Sequence, residues 1–191
     1  MKSIVLASAS PRRSDLLRQI GVDFRVLPSN IEEMLPHGMH PGEAVEELAL
    51  KKALSVSENL KDGSLVIGED TIVVKDDILG KPSDEYDALR MLHILEGDMH
   101  EVLTGVAIVD LSTMEYIKGH EKTKVFMKNL TDEKIKAYID TGEPMDKAGA
   151  YGIQGKGALL VEKIEGCYFN VVGLPLGKLS EMLEYFGVKV L

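Results

Sequence analysis

The chain has 191 residues, 45% apolar and 28% charged, with 18 Gly and 7 Pro, the balance of a globular protein of one domain or at most two small lobes. Its 31 acidic against 22 basic side chains leave a net charge of -9, which excludes a general basic surface wrapping nucleic acid but leaves a free nucleotide admissible. The charge is uneven: residues 1–30 carry five basic side chains (Lys2, Arg12, Arg13, Arg18, Arg25) against two acidic ones (Asp15, Asp23), a local excess suited to a small anionic ligand.

The opening Ile4-Val5-Leu6-Ala7 is a short buried strand, followed by a small-residue turn at Ser8-Ala9-Ser10. Ser10 is placed to cap a helix, with Pro11 in its first turn, Leu16, Leu17 and Ile20 as its apolar stripe and Gly21 as its stop. Residues 42–56 repeat apolar side chains at helical spacing. Leu65-Val66-Ile67 and Ile72-Val73-Val74 flank Gly68-Glu69-Asp70-Thr71 in one strand, and Asp76-Asp77 turn the chain toward Ile78-Leu79. Ser83 is the expected cap of a helix closed by Gly97; strands near 101–111 and 115–127 form a hairpin, and Thr131 caps a helix stopped at Gly142. A glycine-dense shaped loop spans 146–157, strands are expected at 158–164 and 167–172, and a last helix at 175–186. The lone Cys167 falls in a strand pattern as a small core residue; it forms neither an internal disulfide nor a thiolate metal cage, which agrees with a reducing compartment. No apolar run is long enough to span a membrane and no signal peptide is visible, so a cytoplasmic protein without a membrane partner is expected. The pattern predicts an α/β fold, a mixed twisted sheet flanked by helices.

Three places carry chemistry. In Ser8-Ala9-Ser10-Pro11-Arg12-Arg13 a helix N-terminus, small residues and paired arginines suit the oxygens of a polyphosphate, although a capped helix with solvated arginines reads the same way. The P-loop and dinucleotide glycine signatures are both missing. Asp70 interrupts an apolar strand, and a buried carboxylate needs a metal, a cation or a donor; strand alternation sends Glu69 and Thr71 to the face opposite Asp70. Lys81, Lys51 and Lys52 are candidate phosphate neutralisers or solvated lysines, and Glu32-Glu33 are candidate metal carboxylates or plain surface charge. His37 and His40 lack further ligands nearby and do not read as zinc. In the 146–157 loop, Gln154 between small residues can read a base edge through its amide, and Tyr151 can stack or pack.

The ordered set Leu6-Ala7-Ser8-Ala9-Ser10-Pro11-Arg12-Arg13, Gly68-Glu69-Asp70-Thr71, Gly80-Lys81-Pro82, Thr104-Gly105-Val106, Gly142-Glu143-Pro144, Asp146-Lys147-Ala148-Gly149-Ala150-Tyr151-Gly152-Ile153-Gln154-Gly155 and Val171-Val172-Gly173-Leu174-Pro175-Leu176 resembles the Maf family of nucleoside triphosphate pyrophosphatases across nearly the whole chain. The resemblance implies a single Maf-like domain over 1–191, with an ITPase-like two-lobed fold and a nucleotide-binding cleft between the lobes. It also implies a house-cleaning hydrolase that cuts the α-β phosphoanhydride bond with a divalent metal (Mg²⁺ or Mn²⁺), in many members as a homodimer. By motif position, Asp70 would be the catalytic base and a metal ligand with Glu32; Arg12, Thr71 and Gln154 would set specificity; Ser8, Arg13, Lys52 and Lys81 would bind the phosphates. The Arg12 and Gln154 pair resembles the subgroup acting on dTTP and UTP, or on modified pyrimidine nucleotides, to keep them out of nucleic acids. Glu69 departs from the family, which commonly has Ala there.

The residues are compatible with this chemistry: a triphosphate needs several cations, and phosphoryl transfer rests on positioning, electrostatic stabilisation and a base that orients water. The alternative is a nucleotide-binding regulator of cell division or septum formation, which would use the cations but not the carboxylate. A phosphatase releasing orthophosphate is a third reading, separated from the first by its products.

Overall fold

The computed structural model describes residues 2–31 and 38–191. Its strands are β1 (Ile4–Leu6), β2 (Arg25–Val26), β3 (Leu65–Val74), β4 (Ile78–Leu79), β5 (Met99–Asp110), β6 (Tyr116–Met127) and β7 (Val161–Glu165). They form one seven-stranded sheet in the order β2-β1-β3-β5-β6-β7, with β4 also paired to β3. β1 pairs in parallel with β2 and β3, whereas β3–β4 and β6–β7 are antiparallel, so the sheet is mixed as expected. The helices are α1 (Pro11–Gln19), α2 (Pro41–Ser57), α3 (Glu85–Leu95), α4 (Asp132–Ile139), α5 (Tyr168–Val172) and α6 (Leu176–Tyr185).

Local signals explain most of these boundaries. Pro11 opens α1 and Gly21, at φ +72°, turns the chain after it. Ser10 occupies the capping position but its hydroxyl makes no cap bond; Ser8 Oγ accepts the Ser10 N–H instead, at 3.3 Å. The cap of α3 is Asp84 rather than Ser83: its carboxylate accepts from Asp87 N at 2.8 Å, a charge-assisted bond that a hydroxyl one position earlier cannot match. Thr131 caps α4 as expected. The segment expected as a strand at 167–172 is helix α5, whereas the strand expected at 158–164 is largely β7, which starts three residues later, after a 3₁₀ turn (Gly155–Leu159). Here tertiary contacts override the strand preference of Tyr168, Phe169, Val171 and Val172. Thr123 Oγ1 accepts from Cys167 N and donates to Cys167 O, and the buried Asn170 amide donates to Val102 O and Thr123 Oγ1, so the chain coils around one threonine. Cys167 is accordingly half-buried between β7 and α5, not a strand core residue.

The chain divides into two compact units. The first comprises Met1–Asp70, Thr104–Glu121 and Gly173–Leu191. Its core includes Val5, Ala7, Val66, Ala107 and Val109 packed with Ala49, Leu50, Ala53 and Val56 of α2. Two glycines set how closely α2 approaches: a Cβ on Gly68 would lie 2.1 Å from Ala49 O, and one on Gly105 would lie 2.2 Å from Val45 O. The second unit comprises Thr71–Leu103 and Lys122–Val172, with a core built on Leu92, Leu95, Val125, Ile135, Tyr138 and Tyr151.

Candidate functional site

In the first unit β1 delivers Ser8 into the turn before α1, and Arg13 folds back from that helix over it. The Arg13 guanidinium donates through Nε to Gly173 O at 2.9 Å and through Nη1 to Ser8 Oγ at 3.3 Å, and Nη1 lies 2.5 Å from Glu69 Oε1. Glu69 is fully buried. Its contact with Arg13 is ionic, and the Ser8 hydroxyl lies beside the same carboxylate. Burial pushes the Glu69 carboxyl above the ordinary carboxylate range, with the Arg13 charge opposing that rise.

Asp70 is also buried and takes the other face of β3, as alternation requires. Its Oδ1 accepts from Lys52 Nζ at 2.7 Å, and Lys52 itself is only 5% exposed. Both halves of this pair follow from α2 resting on Gly68: Lys52 lies one turn past Ala49, and Asp70 is the next residue on the same strand face. Nearby opposite charge offsets the cost of burying a carboxylate. Lys52 is thus a buried partner of Asp70 and not a solvated lysine, while its neighbour Lys51 is exposed.

The second unit begins at Thr71, the next residue along β3, which is half-buried. It also carries Lys81 and Gln154, both exposed on loops. These loops are joined at their bases: Gly149 N donates to Gly80 O at 3.0 Å, and Gly149 sits at φ +68° with its Cα against Val73. Buried Tyr151 packs edge-on against His100 and its hydroxyl meets His100 Nε2 at 2.6 Å, so it braces the loop from inside. Burial, reinforced by the Lys75 charge, pulls the His100 pKa down to about 4.

The basic excess of residues 1–30 is largely spent away from any ligand. Lys2 pairs with Asp110, Arg18 with Asp15 at 2.8 Å, and Arg25 with Asp62. Arg12 and Arg13 stand at the start of α1, where Arg13 meets Glu69 and Arg12 is half-buried. Glu32, Glu33 and His37 lie outside the described residues. Among the described residues no group of three or more His, Cys, Asp or Glu side chains is arranged to hold a metal, and no helix is long and apolar enough to cross a membrane. His40 serves as the cap of α2, its Nδ1 accepting from Gly42 N at 3.3 Å. Sequence reasoning missed the Glu69–Arg13 contact, the Gly173 carbonyl and the roles of Tyr138 and Glu143 described below; Glu69, Arg13, Gly173 and Glu143 stand in motifs visible in the sequence, whereas Tyr138 had no such signal.

Known proteins match this chain along its length. The family model described as "Maf-like protein" covers residues 3–186. A protein of Acetivibrio thermocellus named dTTP/UTP pyrophosphatase is 58% identical, over 100% of this chain and 98% of that one. One of the same name from Pelotomaculum thermopropionicum is 51% identical, over 100% of both. Among solved structures, the Staphylococcus aureus Ham1 protein covers 66% of this chain and 72% of its own, at 17% identity and a TM-score of 0.46.

Proposed function

The chain belongs to the Maf family, and on that premise we propose that it is a dTTP/UTP pyrophosphatase, hydrolysing these nucleotides to the monophosphate and pyrophosphate and so keeping them out of nucleic acids. The observation that carries the reading is the buried Asp70 carboxylate beside Lys52, on the last residue of the first unit. A protein that only sensed a nucleotide at this place would need cations; it would have no use for a buried carboxylate, which costs several kcal/mol to desolvate, about 3–5 if its cation is lost.

The roles follow from chemistry. Asp70 accepts the proton of the attacking water, and Lys52 holds that carboxylate in one orientation. Ser8, Arg13 and Lys81 supply donors and charge to phosphate oxygens, Arg13 from a guanidinium already fixed by Gly173 O. Arg12, Thr71 and Gln154 select the nucleotide, with the Gln154 amide matched to a pyrimidine edge by its one acceptor and its donors. The donor set fits a divalent cation that arrives with its substrate: Mg²⁺ is typically held by one or two carboxylates together with substrate phosphates and water, and Asp70 offers such a carboxylate. When bound, Mg²⁺ or Mn²⁺ neutralises phosphate charge and polarises the reacting phosphorus. The domain is taken as residues 1–191, working in the cytoplasm, with a homodimer as the proposed assembly.

The test is product identification. Incubated with dTTP, UTP, CTP, ATP and GTP plus Mg²⁺ or Mn²⁺, the protein should release monophosphate and pyrophosphate, fastest from dTTP and UTP. Orthophosphate with a diphosphate would overturn the assignment of the cleaved bond, and no turnover of any nucleotide would return the sensing role in septation to first place.

A further inference from the structure

We propose that Tyr138 and Glu143 form a latch that positions Gln154, and that this latch, with no contact to the nucleotide, is a determinant of base selectivity; the inference rests on the reading of Gln154 given above. Tyr138 is a buried residue of α4, and its hydroxyl lies where the 152–157 loop crosses the helix end. The hydroxyl accepts from Gly152 N at 3.2 Å and donates to Glu143 Oε1 at 3.2 Å. The Glu143 carboxylate in turn accepts from both Lys156 N and Gly157 N at 3.0 Å. One tyrosine hydroxyl and one carboxylate therefore hold the backbone two residues before Gln154 and the backbone two and three residues after it.

The backbone is shaped to need them. Gly142, at φ +71°, reverses the chain after α4 so that Glu143 turns back toward the helix it has just left. Gly155 is also left-handed, at φ +65°, and a Cβ there would lie 2.9 Å from both Glu143 oxygens. At Gly157 a Cβ would fall 2.1 Å from Gly152 O and 2.7 Å from Tyr138 Oη. The loop thus closes on itself between 152 and 157, leaving Gln154 exposed at its tip. Residues 155–159 form a 3₁₀ turn whose first N–H groups would lack partners, and the Glu143 carboxylate satisfies two of them as an anionic cap borrowed from eleven residues upstream of the Gln154 backbone. Burial opposes ionisation of Glu143, but those two N–H donors, Tyr138 and the Lys147 charge outweigh it and hold the carboxyl below its usual range. An exposed amide can discriminate between base edges only if its backbone is fixed, because an amide free to swing offers its donor or its acceptor equally well.

The experiment measures kcat and KM for dTTP and dCTP, which share a sugar and differ at the pyrimidine edge, in Gln154→Ala, Tyr138→Phe, Glu143→Gln and the double variant Tyr138→Phe/Gln154→Ala. Tyr138→Phe keeps the buried ring and removes only the hydroxyl, and a thermal unfolding midpoint confirms that each variant is folded. Gln154→Ala should lower the dTTP:dCTP ratio of kcat/KM about tenfold, the weight of one well-placed hydrogen bond. Tyr138→Phe and Glu143→Gln should lower it in the same direction with kcat for dTTP retained, and the double variant should be no less selective than Gln154→Ala alone. A ratio that falls in Gln154→Ala but holds in both latch variants overturns the latch. An equal loss of kcat on both nucleotides with an unchanged ratio also overturns it, leaving a purely structural role. If Gln154→Ala itself leaves the ratio unchanged, the reading of Gln154 fails and the latch with it.

Discussion

The two units hold their functional side chains by opposite means. In the first, Asp70 and Lys52 stand on a strand and a helix brought close by Gly68 and Gly105, and their geometry is a by-product of core packing. In the second, Gln154 rides on an irregular loop whose path is set by side chains: Tyr138 and Glu143 accept from its backbone N–H groups on one side, and His100 bonds the Tyr151 hydroxyl on another. Regular structure satisfies its own backbone and leaves side chains free to do chemistry, whereas a loop without a ladder must recruit side chains to satisfy it. The contrast suits the proposed tasks: a general base tolerates little displacement and is served by a packed unit, and a selectivity element is served by a loop.

The sharpest way to break this comparison is at Asp70. Asp70→Asn keeps the shape and an acceptor for Lys52 but cannot take a proton, so turnover should fall by about 10²–10⁴-fold while nucleotide binding persists. Steady-state kinetics with equilibrium binding of dTTP checks it; undiminished turnover would remove Asp70 from the mechanism. A smaller effect is expected at Lys52. Lys52→Met preserves the length of the stem but leaves a buried carboxylate without that ammonium, and the protein should lose about 3 kcal/mol of stability in urea unfolding. Recovery of that loss in Lys52→Met/Asp70→Asn, where no buried charge is stranded, would show that the pair is held by mutual compensation; failure to recover would place the role of Lys52 in packing alone.

Reading the sequence reached the first unit more fully than the second, and the same physics explains why. Pro11, Gly21 and the interrupted apolar run 65–74 are local signals, so α1, β3 and the opposite facing of Glu69 and Asp70 were legible without any long-range information. Burial of Lys52 was not, because a lysine on an apolar helix face gains its partner from a strand eighteen residues away. Pairing of Arg13 with Glu69 likewise depends on which strand lies beside β1. In the second unit the glycine-dense stretch announced a shaped loop but not its shape: the donors that fix it are backbone N–H groups common to every residue, and the acceptors come from α4 and the turn after it. Helix α5 was misread for a related reason, since Asn170 and Thr123 override the local preference of four strand-forming residues.

The weakest expected effect lies in the inner brace of that loop, and its sign is fixed by burial. His100 is 1% exposed, its Nε2 is engaged by Tyr151, and Nδ1 has no partner among the described residues, so the ring is held neutral with a pKa near 4. An unfolded histidine titrates near 6.5. Above that pH neither state binds the proton and stability is complete; as pH falls from 6.5 toward 4 only the unfolded chain is protonated, and folding loses up to about 3 kcal/mol. The carboxylates drawn below their usual range, Glu143 among them, also lose stabilisation at the acid end of this window, because the unfolded chain takes up their protons first, but they do so with or without His100 and largely cancel when the native chain is compared with a His100 variant. Urea unfolding at pH 7.5 and pH 4.5 should therefore show a larger drop for the native chain than for His100→Gln, whose side chain can still bond Tyr151 Oη without taking up a proton. Equal drops would mean that the loop is braced by the ring's shape and not by its enforced neutrality, and would shift the comparison between the units from polar restraint back to packing.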